Sequence, residues 1–225
     1  MTTEPSQEQL YQVAHSQQGF FTSKQALECG YSTQNQNYHV KAGHWEQQLR
    51  GIFRLKFYPR TRPYGHIDGL ILSSLWSVNR AGVPQGVISH QMALMHYGYS
   101  TWPARQVHMT VPKGFRRNSK FNGILYFAEL REEDITSKPG FRITKPLRTI
   151  VDCLLVSSPP RRHIVEAIED ALRTGGILPS HIKKAILTPR EQELFLDLLA
   201  SIEYEDIDEV QEHFRLQSSS RAAAS

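Results

Sequence analysis

Apolar residues recur along the first quarter of the chain in a pattern that changes period from helix to strand. Leu10, Val13 and Ala14 are spaced i, i+3, i+4, which predicts a helix beginning near Ser6. In the stretch GFFTSKQALECGYS, Thr22 is placed to cap a second helix, and Gln25 three positions on can reach back to close a capping box, worth on the order of 1 kcal/mol. Gly30 supplies the stop. Ser32 then caps a third helix with Asn35 three positions on, and Gly43 stands where a left-handed residue would end it. Residues 45–49 and 52–57 alternate as two short strands about an Arg50-Gly51 turn. Ile52, Arg54 and Lys56 share one face of the second strand, and Phe53, Leu55 and Phe57 the other. The expectation is that the apolar face packs and the basic face looks outward. Helix, turn, helix and hairpin in this order predict a winged helix-turn-helix, an arrangement whose usual ligand is duplex DNA.

Beyond it, YPRTRPYGH at residues 58–66 has two prolines, a glycine and no periodicity, so it reads as a linker dividing a domain at residues 1–62 from a second at 63–225. Leu70, Ile71, Leu72, Leu75, Trp76 and Val78 predict a buried helix, and residues 86–99 another, with Ser89 as cap and Gly98 as stop. The period then shortens: residues 106–112, 123–130 and 141–144 read as strands. From Pro146 onward the pattern is helical again, through LRTIVDCLLV, RRHIVEAIEDALRTGG, SHIKKAIL and REQELFLDLLASI, before a low-complexity tail, SSSRAAAS, expected to fray. The fold class predicted is α+β: an N-terminal winged helix-turn-helix, then a mixed α/β domain ending in helices.

Charge sharpens this division. Residues 1–62 carry seven Lys/Arg against four Asp/Glu, residues 63–150 eleven against five, and residues 151–225 eight against thirteen. The net values of +3, +6 and −5 behind the overall +4 describe a basic front suited to a polyanion and an acidic rear turned away from it. The start is polar with no basic region leading into an apolar one, and no run approaches the roughly 18 apolar residues of a membrane span, so a cytoplasmic protein without a membrane partner is expected. Cys29 and Cys153 sit within apolar helical patterns and read as buried free thiols.

The predicted recognition helix, residues 32–41, offers Ser32, Thr33, Gln34, Asn35, Gln36, Asn37, His39 and Lys41. Asn and Gln pair with adenine edges in the major groove, and a lysine can hold a phosphate or a guanine edge. Thr22 and Lys24 with the start of their helix could clamp a phosphate, while Arg50, Arg54 and Lys56 would place cations on the wing. Further phosphate contacts could come from Lys113, Arg116, Arg117 and Lys120 in the loop KGFRRNSK. A solvated basic loop is the alternative there, and a polar helix used for protein contacts is the alternative for residues 32–41. The only large apolar residues of that helix, Tyr38 and Val40, are two apart, so its rotation stays open.

Enzymatic patterns are not found. None of the nine lysines has an acidic residue two positions before it, as a restriction-type nuclease requires. Asp206 and Asp208 have a nucleotidyltransferase spacing without the preceding Gly-Ser, and lie in an acidic run from Glu203 to Glu212 that reads as a solvated helix face. Ser89 and His90, adjacent on a helix, would point apart and form no nucleophile and base pair. No phosphate-binding glycine motif and no cysteine or histidine ligand spacing occurs, so neither cofactor nor metal is expected.

The succession GFFTSKQALECGYS, AGHWEQQLRGIFRL, GVISHQMALMHYG, HMTVP and ITKPLRTIVDCL resembles the AbiEi family of antitoxins, encoded beside nucleotidyltransferase toxins in bacterial type IV, abortive-infection systems of phage defence. The resemblance spans residues 19 to about 155, with the recognition helix falling on residues 32–41 and the wing on residues 50–56. It implies a winged domain that represses its own operon at promoter repeats of double-stranded DNA. It also implies a C-terminal domain that counters the toxin without a stable complex. In the recognition helix, Gln36 and His39 stand where the family usually has apolar residues. A nucleic-acid-processing enzyme of a mobile element, using the basic second domain, is the alternative.

Overall fold

Capping side chains set the first three helices. Ser6 Oγ accepts from the Gln9 amide at the start of α1 (Gln7–Ser16). Thr22 and Gln25 exchange reciprocal bonds, 2.8 Å and 3.2 Å, at the start of α2 (Ser23–Glu28), and Ser32 Oγ accepts from the Asn35 amide at 3.2 Å to open α3 (Thr33–Lys41). Gly30 and Gly43, at φ +87° and +73°, turn the chain after α2 and α3. The hairpin forms as expected from β2 (Trp45–Leu49) and β3 (Ile52–Leu55) about Gly51. An unanticipated third strand, β1 (Phe20–Thr22), pairs antiparallel with β3 in the order β1-β3-β2, with Phe21 opposite Phe53. Leu10, Ala14, Phe21, Ala26, Tyr31, Trp45 and Phe53 form the core beneath, with the Phe21 and Trp45 rings edge to face at 4.8 Å.

In this computed structural model residues 4–59, 65–117, 121–202 and 212 are described. Chain contacts group residues 1–88 with 109–143 as one unit, and 89–108 with 144–225 as another. Of the segment read as a linker, residues 58–66, the described residues 58, 59, 65 and 66 fall within the first unit, and residues 60–64 lie outside the described ones.

The rest of the first unit holds α4 (Gly65–Trp76), which packs against β1 and β3, and a five-stranded sheet. Its strands are β4 (Val87–Ile88), β5 (Val107–Val111), β6 (Gly123–Phe127), β7 (Ile135–Lys138) and β8 (Phe141–Thr144), in the order β6-β5-β4-β8-β7. Central β4 runs antiparallel to β5 and parallel to β8, with Ile88 opposite Ile143. Within residues 86–99, the helix expected with Ser89 as cap and Gly98 as stop forms as α5 (His90–Tyr97), ended by Gly98 in the left-handed region, while Val87 and Ile88 before the cap are strand.

The second unit comprises α5, α6 (Pro146–Val156), α7 (Arg161–Arg173), α8 (Pro179–Lys183) and α9 (Pro189–Leu199) around Leu94, Ile150, Cys153, Ile168, Phe195 and Leu198. Arg148 joins α6 to α9 by pairing with Asp152 and with Glu191 at 2.8 Å. Burial opposes the Arg148 charge, but the two carboxylates outweigh it and raise its pKa. Both cysteines are buried free thiols. The tail and the acidic run from Glu203, apart from Glu212, lie outside the described residues. Among the described residues no helix is long and apolar enough to cross a membrane, and no group of three His, Cys, Asp or Glu side chains is placed to hold a metal.

Candidate nucleic-acid interface

The rotation of α3 is fixed by an amide rather than by a hydrocarbon. Gln36 is 2% exposed. Its Nε2 donates to the carbonyls of Tyr31 (2.9 Å) and Ser23 (3.2 Å), and its Oε1 accepts from Ser23 Oγ (2.7 Å), tying α3 to the start of α2. Burying the amide is tolerated because its hydrogen-bonding capacity is met. Gln36, expected among the outward residues, is the inward anchor, with Val40 beside the core one turn later. The solvent stripe therefore runs through Thr33, Gln34, Asn37, Tyr38 and Lys41, with Ser32 exposed at its head and Asn35 half-buried at its edge. Of the two residues that leave the rotation open in the sequence, Val40 faces the core and Tyr38, 63% exposed, belongs to this stripe. The signal that could have found it is its i+4 relation to Gln34, once Gln36 is turned inward.

His39 is half-buried, stacked on Trp45 at 4.8 Å, with its Nδ1 3.1 Å from Nδ1 of His44. Burial first, and His44 second, lower its pKa.

Arg54 does not look outward. It is 2% exposed because α4 packs on the sheet and the chain after β3 folds back: Nη2 donates to the carbonyls of Tyr58 (3.2 Å) and Pro59 (3.1 Å), and the guanidinium lies 5.5 Å from the Phe20 ring centroid. Both faces of β3 are covered, so alternation along the strand did not separate core from solvent. Thr22 likewise leaves the candidate surface: it is buried and its hydroxyl serves the capping box. Of the wing cations, Arg50 is exposed at the turn, where the Gly51 carbonyl accepts from the Ser23 amide at 2.8 Å. Exposed Lys56 stands at the other end of β3, its Nζ 3.4 Å from where a Cβ on Gly43 would lie.

Lys24 is half-exposed and donates to the Arg80 carbonyl at 3.0 Å. Arg117 Nη1 donates to the Val78 carbonyl at 2.7 Å while its guanidinium lies over Trp76. Lys24 and Arg117 thus both donate to backbone carbonyls of residues 78–80, the turn that also carries exposed Arg80, so three cations of distant sequence position share one turn. Sequence reasoning missed Arg80, and no local signal marks it. Lys113 and Arg116 are exposed on the same loop as Arg117; Lys120 lies outside the described residues.

Residues 8–56 match the model of the family described as transcriptional regulator, AbiEi antitoxin. This N-terminal module is an AbiEi antitoxin regulator domain. The matched span runs from α1 to the end of β3, so it takes in the two capped helices, the Gln36 anchor, the exposed stripe of α3 and the hairpin. Around the AbiEi module, the fold as a whole is similar to the crystal structure of the RV2827C protein from Mycobacterium tuberculosis. The two share 12% identity, with a TM-score of 0.56, over 91% of this chain and 79% of that one. That likeness is one of fold. No curated protein matches the chain.

Proposed function

We propose that this chain is an antitoxin and autorepressor. Its N-terminal AbiEi module, residues 1–62, binds double-stranded operator DNA at promoter repeats of its own operon. The observation that carries this reading is the single polar stripe of α3, with exposed Arg50 on the adjoining wing turn. On this reading Gln34 and Asn37 meet base edges, with Asn35 at the margin. Ser32, Thr33, Lys41, Lys24 and Arg50 position the backbone. The basic surface continues through Arg80 to Arg116 and Arg117, with Lys113 on the same loop. The remaining residues, 63–225, counter a cognate nucleotidyltransferase toxin without forming a stable complex, as the resemblance in their motifs implies.

The test is binding of the full chain to its promoter region across salt concentrations. With about five phosphates neutralised, log affinity against log salt has a slope of about −4 to −5. Replacing Arg50 and Arg80 together with alanine flattens it by about two. Asn37→Ala costs about 1–3 kcal/mol on the operator and little on random DNA. A wild-type chain whose DNA affinity ignores salt would refute the reading. Growth rescue on co-expression with the neighbouring toxin, with nothing retained on the toxin in purification, tests the second half.

A further inference from the structure

A cavity of about 440 Å³ opens beside the AbiEi module, between α1, the last turn of α3 and the chain just after β3. Its walls are rings. Tyr11 and Tyr58 lie 6.4 Å apart, steadied by His15, which stacks on Tyr11 and is hydrogen-bonded through Nδ1 to the Tyr58 hydroxyl at 2.9 Å. His44, Trp45 and Phe57 line the cavity as well, and Phe57 is 84% exposed at its edge. The volume falls in the range of small-molecule sites, which are mostly apolar with a few convergent polar groups.

The charge of the lining is one-sided. Lys56 is its only residue that is formally charged at neutral pH, and no Asp or Glu contributes to the walls. Among the described residues no carboxylate pairs with Lys56, whose ammonium lies 5.8 Å from the Phe57 ring centroid. An unmatched ammonium at the rim of an aromatic box complements a ligand with a flat ring and one negative group. Ring faces supply offset stacking, and the cation fixes the ligand's orientation.

We infer that this cavity binds a small planar aromatic anion, an aromatic carboxylate or a nucleoside monophosphate, as an effector of the module. Because His39 in the last turn of α3 lines the same cavity, filling it is linked to how α3 meets DNA, and by reciprocity DNA changes the ligand's affinity equally. This coupling rests on the DNA-binding reading; the site itself does not.

The experiment is a titration of the full-length protein without DNA, followed by the three tryptophan indole N–H resonances. Naphthoate is expected to move the Trp45 signal and leave those of Trp76 and Trp102 in place. Neutral naphthalenemethanol should bind roughly fivefold more weakly, the upper range for an exposed charge pair. Lys56→Met should make the two ligands equal, and Tyr11→Ala, at a half-exposed wall position, should weaken both. Adenosine monophosphate in place of naphthoate distinguishes the sources: tighter binding with the same Lys56 dependence assigns the anion as a phosphate. A Trp45 signal unmoved at millimolar naphthoate, or equal affinity for acid and alcohol in the wild type, overturns the site. Repeating the titration with promoter DNA present tests the coupling, which unchanged naphthoate affinity overturns. Failure of DNA binding itself leaves the direct titration standing and is thereby told apart.

Discussion

Lowering the pH from about 7.5 to about 5 should remove roughly 2 kcal/mol of stability through one side chain, His90. His90 opens α5 with φ at +54° and is 5% exposed; its Nδ1 is hydrogen-bonded with Ser89 Oγ at 2.8 Å, and the His108 ring stands 6.5 Å away. Sequence reasoning had the two side chains pointing apart on a helix. The left-handed backbone at His90 turns its ring back onto Ser89 instead. Burial chiefly, then His108 and Arg148, push its pKa down to about 3. The folded state therefore keeps His90 neutral, whereas an unfolded chain protonates it near the ordinary value of about 6.5. Stability from this group is complete above that value and falls as pH drops toward 3, at about 1.4 kcal/mol per pH unit. Stopping at pH 5 leaves most carboxylates ionised, so about 1.5 units of this linkage are sampled, hence about 2 kcal/mol. The discriminating variant is His90→Asn, because asparagine tolerates the left-handed region and does not titrate. Urea unfolding of both proteins across this range, followed by circular dichroism, should show the variant losing about 2 kcal/mol less than wild type on acidification. A residual slope remains, since burial also lowers the pKa of His108. An equal acid loss in both proteins would refute the reasoning.

Three further outcomes follow from the AbiEi module. Arg54→Ala should cost about 2 kcal/mol or more in urea unfolding, through lost packing against Phe20 and Tyr58, and leave the salt slope of DNA binding unchanged; a flatter slope at full stability would return Arg54 to the surface. Gln36→Ala should cost about 2–3 kcal/mol by removing three hydrogen bonds, and weaken operator and random DNA alike; a loss confined to the operator would make Gln36 a base reader. Gly19→Ala should destabilise by about 2 kcal/mol or more, because φ there is +90° and the new Cβ would lie 2.6 Å from Tyr58 Cγ. Unchanged thermal unfolding of that variant would contradict the observed approach of Tyr58.

What the sequence made legible was local. Thr22, Gln25, Gly30, Ser32 and Gly43 announce helix ends because a cap or a left-handed residue satisfies groups within four positions of itself. The Arg50-Gly51 turn announces the hairpin for the same reason. What stayed hidden depended on distant chain. Strand β1 and strand β4, three and two residues long, are too short for a period and exist only through partners elsewhere. Arg54 looked solvent-facing because nothing near it reveals that α4 covers the sheet. Gln36 looked solvent-facing because polarity was taken as exposure, whereas the carbonyls of Tyr31 and Ser23 made an amide the better inward residue. Arg80 joined Lys24 through a contact spanning 56 positions, beyond any motif.

The sheet order also sets a schedule for synthesis. Every strand of the β1-β3-β2 sheet has been made once Leu55 leaves the ribosome, but β4 emerges before either neighbour, and the pairing of Ile88 with Ile143 must wait about 55 residues, or roughly 3–11 seconds of elongation. A chain released in that interval would carry a finished wing beside Val87 and Ile88, two strand residues with at least one edge open. Truncated products of this gene are therefore expected to be prone to edge-to-edge association, even where their N-terminal module is intact.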